Sequence, residues 1–162
     1  QFEKPVIAAI NGAAIGAGLD LALMADIRIA SLTATFGSTF ARVGLMPGDG
    51  GAYLLTRVVG FARALDLVLT ARIVGADEAL AMNLVTSVVD PDEVLEVALK
   101  RAQQIASLPP KAVQAAKACL YRSVDNDLET ALQLTAALQA TVQHSDEHEE
   151  AVRKMIERLQ GA

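Results

Sequence analysis

Apolar positions along the chain keep two rhythms. The run Pro5-Val6-Ile7-Ala8-Ala9-Ile10 is short, β-branched and without polar alternation, which predicts a strand buried on both faces. Asp26-Ile27-Arg28-Ile29-Ala30-Ser31 alternates instead and predicts a second strand, with a short extended piece at Thr35-Phe36-Gly37 and another strand over residues 84–89. A helical segment over residues 19–25 lies between the first two strands, so the order strand, helix, strand predicts a parallel, right-handed crossover.

From residue 52 the rhythm turns helical. Residues 52–59 and 61–70 read as helices broken at Gly60, the second with apolar residues Phe61, Ala64, Leu65, Val68 and Leu69, and a short helix follows over residues 77–82. Asp90-Pro91-Asp92-Glu93 then supplies a capping Asp, a Pro at the first helical position and a Glu at the third, and Pro109-Pro110 stops that helix. Pro110 can start the next helix, Asn126-Asp127-Leu128-Glu129 opens another, and residues 146–160 form the last. That last helix carries its acids first, Lys154 and Arg158 late, and an expected buried stripe of Val152, Met155, Ile156 and Leu159. The expected organisation is an α/β portion over residues 1–90 and a helical region over residues 91–162. So few strands leave a sheet with open edges, and a first strand that reads as central predicts further chain upstream.

Between the first strand and its helix lies Asn11-Gly12-Ala13-Ala14-Ile15-Gly16-Ala17-Gly18-Leu19-Asp20. A glycine-rich turn feeding a helix leaves main-chain N–H groups without intrahelical partners and gathers partial positive charge, which suits a developing anion. Gly16 and Gly18 flank Ala17 and let a ligand approach closely enough for the Ala17 N–H to donate to a carbonyl oxygen. A phosphate loop requires Lys-Ser/Thr after the last glycine, where Leu19-Asp20 stands, and a dinucleotide fingerprint requires a third glycine where Leu21 stands. A purely structural turn is the remaining alternative. A second irregular stretch, Val43-Gly44-Leu45-Met46-Pro47-Gly48-Asp49-Gly50-Gly51, has the make of a ligand-facing loop around one carboxylate.

Composition narrows the partners. With 162 residues, 52% hydrophobic content and a net charge of −5, the chain is long enough for one sizeable core. It lacks the basic, aromatic-rich stripe of a nucleic-acid binder. Apolar stretches are interrupted by Asp20, Asp26 and Arg28, so no membrane span is expected, and the N-terminus has no signal-peptide pattern; a cytoplasmic location is expected. The lone Cys119 reads as a core filler, and His144 and His148 stand four apart in acidic surroundings without a further ligand, so no metal site is expected. Arg42 and Arg57 are expected in salt bridges.

Three stretches resemble the crotonase family, the enoyl-CoA hydratase/isomerase superfamily of acyl-CoA thioester enzymes. Residues 4–30 are similar to the family's signature, residues 36–51, from Phe36-Gly37 to Gly44-Leu45-Met46-Pro47-Gly48-Asp49-Gly50-Gly51, to a second motif, and residues 69–85 to a third. The resemblance implies an α/β, crotonase-like fold, the ββα spiral of the ClpP/crotonase group. This chain would supply the later part of that spiral and the helical trimerisation domain. It implies an acyl-CoA thioester as substrate, coenzyme A entering only as part of that substrate, no separate cofactor, and a homotrimer or dimer of trimers.

By the same resemblance the Ala17 N–H takes the place of one of two oxyanion donors, and Asp20 and Asp49 are the catalytic candidates. Ile15, Gly16, Gly18, Phe40, Leu45, Pro47 and Gly48 are expected to line the substrate. Hydratases of the family carry glutamates at the places of Asp20 and Phe40, so Phe40 weakens hydration and favours a non-catalytic acyl-CoA binder, whereas Asp20 and Asp49 resemble the Asp residues of the family's dienoyl-CoA isomerases. Asp49 alternatively is a turn residue between glycines. Lys154 and Arg158 are expected to approach coenzyme A of a neighbouring subunit. A non-catalytic acyl-CoA binder or assembly subunit, or an inactive fragment, is the competing reading.

Overall fold

The computed structural model describes residues 2–160. These fall into two compact units, residues 6–102 and residues 2–5 with 103–160, so the division lies twelve residues beyond the change of rhythm at residue 90. It falls inside a helix.

In the first unit, β1 (Ile7–Ile10), β3 (Ile27–Ser31) and β6 (Ser87–Val89) form a parallel sheet in the order β1-β3-β6. Ile7 faces Ile27 and Ile29 faces Ser87 in register. The predicted parallel crossover is therefore present. β1 lies at the edge of the sheet among the described residues, in line with the expected open edges, and the exposure of Ala9 corrects the reading of a strand buried on both faces. Its uninterrupted apolar run is matched by only one neighbouring strand in this chain.

A second small sheet escaped the pattern. β2 (Ala13–Ile15), β4 (Thr35–Gly37) and β5 (Val74–Gly75) pair in the order β2-β4-β5, β2 parallel and β5 antiparallel to β4. β4 is the short extended piece expected at Thr35-Phe36-Gly37, whereas Ala13–Ile15 and Val74–Gly75 carry no readable alternation, so only pairing reveals those two strands and the sheet they make with β4. The Leu84-Val85 end of the predicted last strand is instead a buried turn: Asn83 takes a positive φ of 63°, the Leu84 N–H donates to the Ala79 carbonyl at 2.8 Å, and pairing begins at Ser87. Buried Arg28 locks this turn by donating from Nε to the Leu84 carbonyl at 2.7 Å and from Nη1 to the Ala25 carbonyl at 2.6 Å.

Helices α1 (Ala17–Leu23), α2 (Gly51–Val59), α3 (Phe61–Thr70) and α4 (Ala76–Ala81) complete the unit, with a 3-10 turn at Phe40–Val43. The core gathers Leu19, Leu23, Phe36, Leu55, Val59, Ala64, Leu67, Val74, Leu84 and Val85. In α3 the buried positions are Ala64 and Leu67, whereas Phe61, Leu65 and Leu69 of the expected stripe are exposed. Among the described residues Arg42 meets no acid: its Nε donates to the Ala71 carbonyl at 2.9 Å, closing the end of α3 where Ala71 takes φ 51°. Arg57 stacks over the Tyr53 ring at 3.4 Å.

α5 (Val94–Ala106) spans the division, its regular turns starting after a turn at residues 91–93. The second unit consists of α6 (Pro110–Ser123), α7 (Leu128–Gln143) and α8 (Asp146–Gln160). Pro110 begins α6 as expected, and Asp127 caps α7 by accepting from the Thr130 N–H at 2.9 Å. No residue of these three helices is buried. The stripe Val152, Met155, Ile156 and Leu159 is exposed, and half-buried Cys119 is no core filler: its Sγ lies 3.0 Å from the Thr135 hydroxyl, between α6 and α7.

Candidate active site

β2 delivers the chain to Gly16, which takes φ 57° and ψ −122°, a conformation open to glycine and strained for other residues. Its N–H donates to the Gly37 carbonyl at 2.8 Å and ties the turn to the end of β4. Its carbonyl accepts from the Leu19 N–H at 3.0 Å and the Asp20 N–H at 3.1 Å, starting α1. The N–H groups of Ala17 and Gly18 make no backbone hydrogen bond among the described residues, no side chain caps the helix, and both residues are exposed. These are the orphan donors that every helix start leaves, at the positive end of the helix dipole.

Phe40 is half-buried beside this turn, its ring edge 3.9 Å from where a Cβ on Gly16 would lie, and Ile15 is half-buried. A Cβ on Gly18 would have nothing within 4 Å, so the approach to Ala17 is open. Leu45 and Gly48 are exposed and Pro47 is buried. Their segment is bracketed by Gly44 at φ 71° and Gly50 at φ 91°.

Asp20 follows one turn into α1 with 1% of its surface exposed. Burial first, and then the charge of Asp49, push its carboxyl above the ordinary aspartate value; the main-chain N–H groups of Gly51 and Asp49, which bond it, pull part of the way back. One oxygen, Oδ2, has no partner among the described residues, and neither has the buried Ser38 hydroxyl. The carboxylate thus lies under the N-terminus of α2, and Asp49 itself is exposed.

The structure thereby brings together Asp20, Asp49 and Gly51, and separately Gly16, Ala17 and Phe40, with Ala17 and Asp20 in the same helix. Sequence reasoning passed over Gly51 and Ser38. The available signal was the Gly50-Gly51 pair opening an amphipathic helix, where one glycine is enough to end a loop.

The other candidates are less suited to a site. The His144 ring Nδ1 lies 2.8 Å from the Ala140 carbonyl, and among the described residues no group of three or more His, Cys, Asp or Glu side chains could hold a metal. Lys154 pairs with Glu150 of its own helix at 2.6 Å. No helix among the described residues is long and apolar enough to cross a membrane.

A family model described as enoyl-CoA hydratase/isomerase matches residues 1–162. A probable enoyl-CoA hydratase of Rhodobacter capsulatus is 42% identical over 154 residues, covering 95% of this chain and 60% of the relative. A 1,2-epoxyphenylacetyl-CoA isomerase of Escherichia coli is 36% identical over 156 residues, covering 96% of this chain and 60% of the relative. The crystal structure of an enoyl-CoA hydratase from Bacillus anthracis superimposes with a TM-score of 0.95 at 38% identity, covering 98% of this chain and 61% of that one. The chain therefore spans about three fifths of the length of the relatives it matches.

Proposed function

The chain belongs to the enoyl-CoA hydratase/isomerase family and has its crotonase-like fold, and from that premise we propose that it works as part of an acyl-CoA thioester enzyme that stabilises a thioester enolate. The observation that carries the reading is the exposed, unpaired Ala17 N–H at the positive end of α1, one turn from a buried carboxyl held above its ordinary value. The thioester carbonyl accepts from Ala17. As a proton leaves the carbon next to that carbonyl, negative charge collects on the oxygen, and a preorganised donor aimed there is worth about 3 kcal/mol at the transition state.

Asp20 is the proton carrier in this reading. Burial and the charge of Asp49 raise its value, so it takes up and holds a proton more readily than an ordinary aspartate does. Ionised, it accepts the proton from one carbon of the acyl chain; protonated, it returns it to another, which moves a double bond without adding atoms. Asp20 is sealed, so the acyl chain reaches it only where the groups packed on its carboxyl, Gly51 and Asp49 among them, give way. Asp49 raises the cost of a second negative charge there and is the second acid/base candidate.

Phe40 favours isomerisation over hydration, since an apolar ring beside Gly16 offers no base to activate a water. A dienoyl-CoA isomerase-like activity is the corresponding finer assignment. Ile15, Gly16, Gly18, Leu45, Pro47 and Gly48 line the acyl-CoA, which brings coenzyme A as part of the substrate with no separate cofactor. The exposed apolar stripes of α7 and α8 support assembly as a homotrimer or dimer of trimers. A cytoplasmic location fits this reading.

The test is a spectrophotometric assay of crotonyl-CoA hydration and of dienoyl-CoA isomerisation, with Asp20→Asn and Asp49→Asn beside the parent. Loss of turnover in Asp20→Asn supports the assignment. Equal rates in both variants and the parent would sink it, and saturable coenzyme A binding without turnover of any thioester would identify a binder.

A further inference from the structure

We propose that Gly51 is a positioning residue: its main-chain N–H and its missing side chain seat the Asp20 carboxyl group under the N-terminus of α2 and fix where that group points. This rests on Asp20 as the proton carrier. A Cβ built on Gly51 would fall on the Asp20 carboxyl group, whose Cγ, Oδ1 and Oδ2 are its three nearest atoms. Other glycines of the site have room: at Gly16, Gly48 and Gly50 the nearest atom is 3.9 Å away, and at Gly18 nothing lies within 4 Å.

The requirement at Gly51 is one of space. Gly50 takes φ 91° and needs glycine for its backbone, whereas Gly51 is absent from the positive-φ residues and lies inside the first turn of α2. Gly51 is the first residue of α2 and its φ is open to any residue, so a glycine there in contact with a buried carboxyl marks a place where the missing methyl group serves that carboxyl. The Gly51 N–H also bonds it, and the Asp49 N–H adds a second bond. Oδ2 meanwhile remains unpartnered, so the group is held from one side. Asp49 is the titratable group that faces it, and its charge acts against ionisation of Asp20 while its N–H acts for it.

The test uses the full chain with Gly51→Ala and, as a control that strains the same loop without entering the carboxyl's space, Gly50→Ala. The Asp20 carboxyl is followed by its carbon-13 chemical shift against pH, and dienoyl-CoA turnover is measured alongside. Gly51→Ala is expected to push the carboxyl off its seat, so that it titrates closer to an ordinary aspartate, and to lower kcat by about 100-fold with little change in KM. Gly50→Ala is expected to leave the titration where it is in the parent.

Should Gly51→Ala fail to fold, the double variant Asp20→Ala with Gly51→Ala decides. With the carboxyl gone, the methyl group is expected to fit, and the double variant is expected to melt close to Asp20→Ala alone. A parental Asp20 titration in Gly51→Ala, or a Gly51→Ala penalty that persists after Asp20 is removed, overturns the inference. A parent that turns over no thioester defeats the proposed function and leaves the titration and the double variant to decide on Gly51.

Discussion

The two compact units use the same kind of amphipathic helix to different ends. In residues 6–102 the apolar faces of α1, α2 and α3 bury Leu19, Leu23, Leu55, Val59 and Leu67 around two small sheets. In α6, α7 and α8 comparable stripes bury nothing, and Leu120, Leu128, Leu132, Met155 and Leu159 each keep more than half of their surface exposed. Apolar periodicity therefore announces a face that is suited to burial. Whether the face is buried depends on a partner surface that the periodicity does not contain.

The sharpest way to break that contrast is to cut a large side chain from each unit. Phe36→Ala in the core is expected to cost about 3–5 kcal/mol of unfolding free energy in urea titrations, because the cavity adds to the lost transfer energy. Met155→Ala, exposed on α8, is expected to change it by less than about 0.5 kcal/mol. That small change is expected of the chain on its own; a cost that grows toward that of Phe36→Ala as protein concentration rises would identify the α8 stripe as a surface covered in the proposed assembly.

Next in size is the proposed oxyanion donor. Ala17→Pro removes the N–H that the proposed reaction needs at the first position of α1, where proline is tolerated. It is expected to lower kcat by about 100- to 1,000-fold with the fold retained by circular dichroism. A rate within threefold of the parent, a margin of about 0.7 kcal/mol at the transition state, would remove Ala17 from the chemistry.

The carboxylate inside the first unit offers a pH test. Because folding raises the Asp20 value, the folded chain holds this proton over a range in which the unfolded chain has released it, so this group's contribution to stability falls as pH rises through that range. Asp20→Asn is expected to abolish turnover yet to gain melting temperature over the parent at pH 7, with the gain shrinking toward pH 4, as thermal scans at both pH values would show. A gain that is the same at both would assign the effect to something other than the charge.

Phe40→Glu sharpens the same site by placing a second carboxyl beside Gly16. The ratio of hydration to isomerisation, read on crotonyl-CoA and a dienoyl-CoA, is expected to rise about tenfold, less than the roughly 100-fold or more that a fully positioned acid/base group contributes. A small effect is also expected at Arg57: Arg57→Ala removes the stack on Tyr53 and is expected to cost about 0.5–1 kcal/mol.

How much of the site was legible depended on the kind of interaction. The motifs pointed to Ala17, Asp20 and the 45–49 loop, because glycines at a strand-to-helix turn and a carboxyl one turn later have local consequences. Phe40 was read as a missing base, and its place against Gly16 came only from the pairing of β2 with β4. Gly51 was invisible as a partner of Asp20, thirty-one residues away, and so was the sealing of that carboxyl, which the sequence treated as open to substrate.

The order of residues alone determined which stretches are helical, with ends a few residues off at α1 and α5, that α1 opens with unpaired N–H groups after a glycine turn, and that β1 and β3 run parallel. Caps, proline, glycine and local periodicity act over a few residues, so their outcome is written locally. Tertiary structure alone decided that β2 and β5 exist, that β1 is an edge, that the α8 stripe faces solvent, and that Asp20 is buried with one oxygen unpartnered beside Asp49. Burial and charge at a point are sums over everything that packs there, and no short stretch of chain carries that sum.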